Sequence, residues 1–446
     1  MNKPLIITVP NKILGEVATP VTSFDDVLKN QIQMMRNFLK TQEGVGLAAN
    51  QLGFGNRVVI IEFVNPQDKK DNIPFQVFIN PKIVELSREK DEQEEGCLSL
   101  PKIELPVERS TKIKIRYQNI SGKKAKLTAR DIIARILQHE TDHLNGTVFT
   151  DRVREKLFLN FPDLKKKKIV FVGTGDFAVS ILESLILLSL NLFIITEKAK
   201  PAGRRKELKP SPVAETAKKF GKGYFETDDI TDLSLPFSSP PLLICVDFGQ
   251  KIPEKILKLS KLAINIHPSL LPKYRGPSPI SSAILAGEQE SGVTIIKMTK
   301  EFDQGPILAR TSINIFPTDN SLTLENRLAV VSLKLLFKIL PKICQNQIKT
   351  VPQDESQATQ TLKIKKEDVE INWNEDSELI ERKIRAFYPQ PKAYAFIGDK
   401  RLIIHRAHLE KNKLIIDIVQ EEGKKPISWS EFLRGWRGPK PKWFDR

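Results

Sequence analysis

The pattern of hydrophobic and polar positions near the start of the chain predicts two helices separated by short strands. The first helix spans about 25–40, with apolar residues recurring every three or four positions and Ser23 as its N-cap. Strands are predicted at 57–63 and 112–117, and a second helix begins near Asp131. The apolar stripe expected on that second helix consists of Ile132, Ile133, Ile136 and Leu137.

From about residue 168 onward, short apolar runs alternate with helical patterns. A strand at 169–172, a helix at 177–189 and a strand at 192–196 make a β-α-β start, which predicts a doubly wound α/β sheet. A polar stretch at 351–361 is interpreted as a seam before a smaller last region. The remaining predicted elements are strands at 243–246 and 263–267, a helix at 377–386, and strands at 393–397, 401–407 and 413–419.

Composition narrows the class of protein. The chain has 446 residues, a formal net charge of +16, 3 Cys and 5 His. The length predicts several domains, and so few cysteines indicate a reducing, cytoplasmic setting without a disulfide framework. No apolar stretch reaches the roughly 20 residues that span a bilayer. The net charge is +4 over 1–160 and +12 over 161–446, which predicts a polyanionic partner for the second part.

The second predicted helix carries a metal-binding pattern. His139 and His143 are four residues apart, so both imidazoles can reach one metal ion from one face of the helix. Glu140 can take a proton from an attacking water. Cys97 is the natural third ligand, and its thiolate favours iron or zinc over magnesium or calcium. The helix by itself would also fit a zinc protease.

Together with the glycine-rich segment 44–51, these motifs resemble peptide deformylase over about 4–151. The resemblance implies an α+β fold and removal of the N-formyl group from nascent peptides that begin with methionine. It implies Glu140 as general acid and base, Gln51 and the Leu98 backbone N–H as oxyanion donors, and Gly46 at the substrate. The implied ligands of Fe²⁺, or of zinc or another divalent metal, are Cys97, His139 and His143.

In the second region, the turn at 173–178 fits the pattern G-x-G-x-x-A. Glu197 lies at the end of the following strand, where a ribose-binding acid is expected. A dinucleotide-binding enzyme is therefore a genuine alternative for this part of the chain.

Three polar residues farther along indicate a different chemistry. Asn265 and His267 alternate on one strand and point to the same side of the sheet, at the strand end where α/β sheets place their chemistry. Asp303 comes from a later loop. An Asn can stabilise an oxyanion, a His can move a proton, and an Asp can hold that His while an amine attacks a formyl carbon.

The segment 265–272 together with Asp303 resembles the methionyl-tRNA formyltransferases, and more broadly the 10-formyltetrahydrofolate-dependent transferases, from about 167 to the C-terminus. The resemblance implies 10-formyltetrahydrofolate as formyl donor and a final OB-like β-barrel that touches tRNA. The implied folate-binding residues are Ser269, Leu270, Leu271 and Pro272. The implied tRNA-binding residues, in a basic loop, are Arg204, Arg205, Lys206 and Lys209.

The sequence thus predicts a cytoplasmic, bifunctional translation enzyme that acts on nascent peptides, near the ribosome, and on initiator methionyl-tRNA, without membrane association. Two alternatives for the second half stay open: formylation of a sugar-nucleotide amine, and a non-catalytic RNA-binding module. The expected domains are a deformylase at 1–160, a basic linker at 161–166, a formyltransferase catalytic domain at 167–355 and an OB-like domain at 356–446.

Overall fold

The computed structural model describes residues 5–64, 72–202, 207–232, 242–398 and 400–438. The chain divides into two compact units. One comprises 1–166 together with 183–191 and 219–222, and the other comprises the rest. Each unit is described by itself.

The N-terminal elements form an α+β arrangement. One antiparallel sheet has the strand order β1-β2-β3-β6-β7, while β4 and β5 pair separately as a two-stranded ribbon. The strands are β1 (Gly46–Ala48), β2 (Val58–Phe63), β3 (Ile73–Leu86), β4 (Lys90–Cys97), β5 (Leu100–Ser110), β6 (Lys112–Gln118) and β7 (Lys124–Arg130). The helices are α1 (Asp26–Leu39), α2 (Asp131–Leu144) and α3 (Phe149–Asn160).

Helix α1 begins where the sequence predicts but has a different cap. The side chain of Asp25, not Ser23, accepts the backbone N–H of Leu28, at 3.0 Å. Ser23 instead donates its hydroxyl to Asp25. The prediction of Ser23 as cap is wrong because a carboxylate one turn before Leu28 satisfies the free N–H group and also interacts favourably with the helix dipole.

Helix α2 shows an unusual distribution of buried residues. Ile132, predicted in the apolar stripe, is 52% exposed, so that part of the prediction is wrong. In its second half the helix buries polar residues instead. They include Gln138, Glu140, Asp142 and His143. Buried polar groups require partners, so this half of α2 marks a site rather than ordinary core.

The elements after residue 166 build a seven-stranded sheet in the order β12-β9-β8-β13-β14-β15-β16. Its strands are β8 (Lys168–Gly173), β9 (Asn191–Glu197), β12 (Tyr224–Thr227), β13 (Leu242–Val246), β14 (Leu262–His267), β15 (Glu290–Lys297) and β16 (Ile307–Asn314), with β10 (Lys200–Ala202) and β11 (Glu207–Lys209) forming a separate hairpin. The helices are α4 (Asp176–Leu187), α5 (Pro212–Lys219), α6 (Glu254–Leu259), α7 (Pro279–Ala286) and α8 (Ser321–Cys344).

The seven-stranded sheet has the doubly wound pattern that the β-α-β start predicts. Strand β8 lies in the interior of the sheet, with β9 and β12 on one side of it and β13 to β16 on the other. Strand β13 pairs in parallel with β8 and with β14. Every residue of β13 is buried, as expected for a strand covered on both faces. The edge formed by β15 and β16 is antiparallel. Strand β14 therefore has a neighbour on each side, β13 and β15, and the pairing with β15 continues to His267 at its carboxyl end.

The last region is a four-stranded antiparallel sheet in the order β17-β18-β19-β20. Its core includes Ile380 and Ile384 of α9 and Phe432 of α10. The elements are β17 (Tyr394–Ile397), β18 (Lys400–Glu410), β19 (Lys413–Glu421), β20 (Ile427–Ser428), α9 (Ser377–Ala386) and α10 (Trp429–Gly435). Among the helices in the described part of the chain, none combines the length and the apolar character needed to cross a membrane.

Candidate active sites

The three predicted metal ligands come together at the meeting of β4 and α2. Cys97 ends β4, and its Sγ lies 3.1 Å from Nε2 of His143. The rings of His139 and His143 have centroids 5.0 Å apart. The three ligand atoms all lie within 4.8 Å of one another. One sulfur and two imidazole nitrogens suit Zn²⁺ or Fe²⁺, so the donor set fits the metal that the resemblance implies.

The charges in this cluster favour a thiolate. Burial by itself would raise the pKa of Cys97, but the neighbouring His143 and His139 lower it well below its usual value. Burial would likewise lower the pKa of His139, yet its hydrogen bonds to Cys97 and Glu95 raise it well above the ordinary range. The thiolate is the form of cysteine that binds metals.

Glu140 lies beside the cluster with one carboxylate oxygen unpaired. Its side chain is 4% exposed, and burial raises its pKa. Within the described residues, no group hydrogen-bonds to its Oε2. A Cβ atom at Gly46 would lie only 2.6 Å from Glu140 Oε1. Glycine at position 46 therefore makes room for this carboxylate, which stays available to exchange a proton.

Gln51 presents its amide to the same cluster. Its Oε1 accepts the backbone N–H of Ala48 at 2.8 Å, which orients the side chain. Its Nε2 then lies 3.5 Å from Cys97 Sγ and 3.3 Å from Ser99 Oγ. Leu98 follows the cysteine directly and is half-buried. The geometry places an N–H donor of Gln51 where an oxyanion donor is needed, and both donor roles remain predictions.

Glu95 is a residue of this site that the sequence reasoning missed. It is 6% exposed, and its Oε2 lies 3.0 Å from Nδ1 of His139. Arg109 donates to both of its oxygens, at 2.9 and 2.8 Å, and Arg135 donates at 2.7 Å. Burial would raise the pKa of Glu95, but the hydrogen bonds from Arg109 and His139 lower it to about 2. The carboxylate orients His139 so that Nε2 faces the cluster.

The ion network extends past Glu95. Asp142 accepts from Arg109 at 2.5 Å and from Arg152 at 2.6 Å. One signal could have drawn attention to Glu95: it is an acidic residue two positions before Cys97 on β4, although the register shifts between Gly96 and Cys97 and interrupts the simple alternation of faces. The partners Arg109 and Arg135 follow 14 and 40 residues later, at distances along the chain that carry no local pattern.

A second constellation lies at the carboxyl end of β14. Asn265 and His267 point to the same side, and Asn265 Nδ2 donates to Asp303 Oδ1 at 2.9 Å. Nδ1 of His267 lies 3.6 Å from the same oxygen. Asp303 has a backbone φ of 55°, a left-handed conformation that few non-glycine residues adopt. The structure thus brings together the three residues that the sequence predicts as one group.

His267 has its proton position set by a backbone group. Its Nε2 lies 2.8 Å from the carbonyl oxygen of Tyr274. Because a carbonyl oxygen can only accept, the hydrogen-bond network assigns a proton to Nε2. Nδ1, on the side of Asp303, is then the nitrogen that can gain or lose a proton.

The predicted folate-binding residues form the turn that follows β14. Ser269 is 1% exposed, and its hydroxyl donates to the carbonyl of Lys273 at 2.7 Å. Thr294 on β15 donates to the carbonyl of Ser269 at 2.7 Å and accepts the N–H of Leu271 at 3.1 Å. Leu271 and Pro272 are buried and Leu270 is half-buried. The Ser269 hydroxyl shapes the turn, and binding of folate by these residues stays a prediction.

The glycine-rich turn after β8 is filled by a carboxylate. Asp247 accepts the N–H of Thr174 with its backbone oxygen at 3.0 Å, and a Cβ at Gly175 would lie 1.9 Å from its Oδ2. Burial, together with the charge of Asp176, raises the pKa of Asp247 to about 6. Glu197, the expected ribose-binding acid, pairs with Lys200 at 2.6 Å. A negative group beside the turn repels a pyrophosphate, so dinucleotide binding is not favoured.

The basic loop can be described only in part. Arg204, Arg205 and Lys206 lie outside the described residues. Lys209 is the last residue of β11 and is exposed. In the antiparallel pairing of β10 with β11, its backbone lies opposite that of Lys200. Its role in tRNA binding stays a prediction.

Family models match three successive parts of the chain. They are Polypeptide deformylase at residues 4–158, Formyl transferase at 166–340, and Formyl transferase, C-terminal domain at 363–414. The methionyl-tRNA formyltransferase of Staphylococcus aureus is 39% identical over 253 residues, which are 55% of this chain and 81% of the relative. That of Staphylococcus epidermidis is 39% identical over 251 residues, with the same two shares.

Solved structures are similar to the N-terminal part. The class I type b peptide deformylase from Acinetobacter baumannii with bound Met-Ala-Ser has 34% identity and a TM-score of 0.32, over 33% of this chain and 96% of that one. Peptide deformylase from Thermotoga maritima has 38% identity and a TM-score of 0.31, over 34% and 98%.

The two sites and the family matches define a formyl-group enzyme in which a hydrolase region precedes a two-part transferase region. The chain belongs to the methionyl-tRNA formyltransferase family and carries a polypeptide deformylase region at residues 4–158.

Proposed function

We propose that this chain removes the formyl group from nascent peptides with its first site and formylates initiator methionyl-tRNA with its second. One observation carries the proposal: each of two separate constellations lies within the family match whose chemistry it suits. Cys97, His139 and His143 lie in the deformylase match, and Asn265, His267 and Asp303 lie in the transferase match.

In the first site, Cys97, His139 and His143 would hold the metal, which we propose is Fe²⁺. When bound, a divalent metal supplies a Lewis acid that polarises the formyl carbonyl. Glu140 takes a proton from the attacking water and delivers it to the departing amine, so that a C–O bond forms as the C–N bond breaks. Gln51 Nε2 and the backbone N–H of Leu98 donate to the developing oxyanion. The products are formate and a free amino terminus.

In the second site, the amino group of methionyl-tRNA attacks the formyl carbon of 10-formyltetrahydrofolate. Asn265 uses one N–H to hold Asp303 and directs its other N–H at the developing oxyanion. His267 takes a proton from the attacking amine through Nδ1, close to Asp303, and passes it to the folate nitrogen as the C–N bond of the donor breaks. We propose Gly46 as a substrate contact of the first site, and Ser269, Leu270, Leu271 and Pro272 as folate contacts of the second.

The basic surface of the second part would hold the tRNA. We propose that Arg204, Arg205, Lys206 and Lys209 contact the tRNA, and that 356–446 forms an OB-like barrel that touches its backbone. The domain limits proposed from the sequence are 1–160, 161–166, 167–355 and 356–446. We propose a cytoplasmic location, because both substrates are intermediates of protein synthesis.

Three assays on the full chain test the proposal. The iron-loaded protein should release formate from an N-formylmethionyl peptide. The same preparation should transfer formyl from 10-formyltetrahydrofolate to methionyl-tRNA. Transfer to a sugar-nucleotide amine at a comparable rate, with no reaction on the tRNA, would replace our assignment of the second site by its alternative. His267→Ala should abolish transfer to either acceptor and leave formate release intact. Transfer that persisted in this variant would come from a contaminating enzyme.

A further inference from the structure

The segment 351–361, here called the strap, is a polar stretch that the sequence presents as a seam between regions. In the structure it is joined to the loop that follows β14. Arg275 donates its N–H to the carbonyl of Thr359 at 2.9 Å, and Thr361 donates its N–H to the carbonyl of Arg275 at 2.7 Å. Tyr274 donates its N–H to the hydroxyl of Thr359 at 2.8 Å. The strap therefore continues the backbone hydrogen bonding of the loop that carries the carbonyl partner of His267.

Gln353, on the strap, joins that loop to Asp303. Its Nε2 donates to the carbonyl oxygens of Asp303 and Gly305, at 2.7 and 2.8 Å. Its Oε1 accepts from Arg275 at 3.1 and 2.7 Å. Arg275 is 2% exposed and makes a second, bidentate contact with Glu355 of the strap, at 2.9 and 2.8 Å. The side chain of Gln353 thus holds the backbone at Asp303 and, at the same time, the buried guanidinium of Arg275.

Thr361 holds the other end of the loop. It is 7% exposed, its hydroxyl donates to the carbonyl of Arg275 at 3.0 Å, and it accepts the N–H of Ser278 at 3.2 Å. A Cβ at Gly276 would lie 2.8 Å from the carbonyl oxygen of Thr361. This close approach matters because the N–H of Gly276 donates to Asp303 Oδ2 at 2.9 Å.

Two residues at this site have left-handed backbones. Tyr274 has a φ of 61° and Asp303 a φ of 55°, a conformation that non-glycine residues seldom adopt and that costs more for tyrosine than for aspartate. Tyr274 supplies the carbonyl that faces His267, and Asp303 supplies the carboxylate between His267 and Asn265. The strap makes hydrogen bonds to both backbones, at the N–H of Tyr274 and the carbonyl of Asp303.

We infer that the strap is part of the transferase site and that Gln353 and Thr361 are positioning residues for His267 and Asp303. The expected effect on the rate of formyl transfer rests on the proposed function. The positions of His267 and Asp303, by contrast, can be measured without substrate. The strap's hydrogen bonds go to the loop and to Asp303, so their removal should slow the chemical step and leave substrate binding nearly unchanged.

The test compares four variants of the full chain. Gln353→Ala removes the bridge, Thr361→Val keeps the shape of Thr361 without its hydroxyl, and Thr361→Ser keeps the hydroxyl. Gln357→Ala is the matched control, because Gln357 lies on the same strap, is exposed and donates to Asp354 within it. We expect kcat for formyl transfer to fall about tenfold in Gln353→Ala and Thr361→Val, with KM within about twofold. Thr361→Ser should recover most of the loss.

The second measurement is the ¹⁵N spectrum of the histidine side chains without substrate, with the His267 signals assigned from His267→Gln. We expect these signals to move in Gln353→Ala and Thr361→Val and to stay in place in Gln357→Ala. Unchanged signals in both altered variants, or a raised KM with unchanged kcat, would overturn the inference. If Gln353→Ala does not fold, the valine and serine variants decide it. If the unmodified chain transfers no formyl group, the proposed function is wrong. The His267 signals of the variants then decide by themselves whether Gln353 and Thr361 position His267.

Discussion

The two sites are supported in different ways. Around the first, buried charges are paired: Glu95 is enclosed by Arg109 and Arg135. Although burial would raise the pKa of Glu95, the hydrogen bonds from Arg109 and His139 lower it to about 2. Around the second, one buried charge, Arg275, is paired with Glu355, but the groups that touch the reacting residues are backbone groups: a carbonyl faces His267 and a glycine N–H holds Asp303. The buried acid nearby, Asp247, has acidic neighbours and a pKa raised to about 6.

This difference matches the chemistry of each site. A metal cluster gathers charge, and a surrounding ion network keeps each ligand in one orientation. A site that moves protons between two uncharged reacting groups needs dipoles set at defined positions, which a loop held by many backbone hydrogen bonds can supply. The first site should therefore depend on the paired charges around its ligands, whereas the second should depend on the charge of Asp303 and also on the geometry of the loop that holds it.

The largest effect is expected for Glu140→Gln. Deformylation should fall by about 10²–10⁴-fold in kcat, because the variant cannot exchange the proton of the attacking water. Metal content and formyl transfer should stay as in the unmodified chain. Formate release and metal analysis check this, with the exposed Glu43→Gln as control. If deformylation and transfer fell together, the two sites would not be separate.

Asp303→Asn should lower formyl transfer by about 10²–10³-fold while formate release is unaffected. The amide keeps the shape of the carboxylate but removes the charge next to Nδ1 of His267. It also leaves one oxygen to accept the hydrogen bonds that Asn265 and Gly276 donate to two. Single-turnover transfer measures the loss. Asp354→Asn, in an exposed position on the strap, is the control. Retention of most activity would show that charge at position 303 is dispensable and that only its geometry matters.

Glu95→Gln tests whether the first site depends on paired charge. It should weaken metal affinity about 10–100-fold, because His139 loses its oriented partner. It should also lower the free energy of unfolding by about 3 kcal/mol, since Arg109 and Arg135 lose a buried counter-charge. Metal titration and denaturant unfolding provide the two measurements. An unchanged metal affinity would mean that α2 alone orients His139.

Asp247→Asn tests the buried acid of the second unit, which has no basic partner among the causes that set its pKa. The folded-state pKa of about 6 is above the usual value of 3.8, so the wild-type free energy of unfolding should fall as pH rises from about 4 to 6. The amide removes that penalty, and the variant should be more stable than the wild type at pH 8, by up to about 3 kcal/mol. The advantage should vanish near pH 4. Thermal unfolding at both pH values checks this, and an equal difference at the two would contradict it.

The smallest effect concerns the basic loop. Replacing Arg204, Arg205 or Lys206 by alanine should reduce the slope of log affinity for tRNA against log salt concentration by about one for each phosphate that is no longer neutralised. Filter binding across a salt series measures the slope. Lys222→Ala, at an exposed position, is the control. An unchanged slope in all three variants would remove this loop from the proposed tRNA surface.

Much of the fold follows from local pattern, and the exceptions have physical causes. Helix α9 begins and ends at the predicted residues, because its apolar periodicity lies within one short segment. Ser23 is a wrong prediction for the cap of α1 because two capping residues compete within one turn and the backbone selects Asp25. Ile132 is wrong as a core residue because the inward face of α2 is set by the polar site that it serves.

The sequence by itself determined which residues could do chemistry. The spacing of His139 and His143, and of Asn265 and His267, is fixed by helix and strand periodicity, which acts over a few residues. Only the tertiary structure decided what surrounds them. Glu95 meets His139 across 44 positions, and Gln353 meets Asp303 across 50. Such contacts depend on how whole elements pack, and no periodicity within one element specifies them.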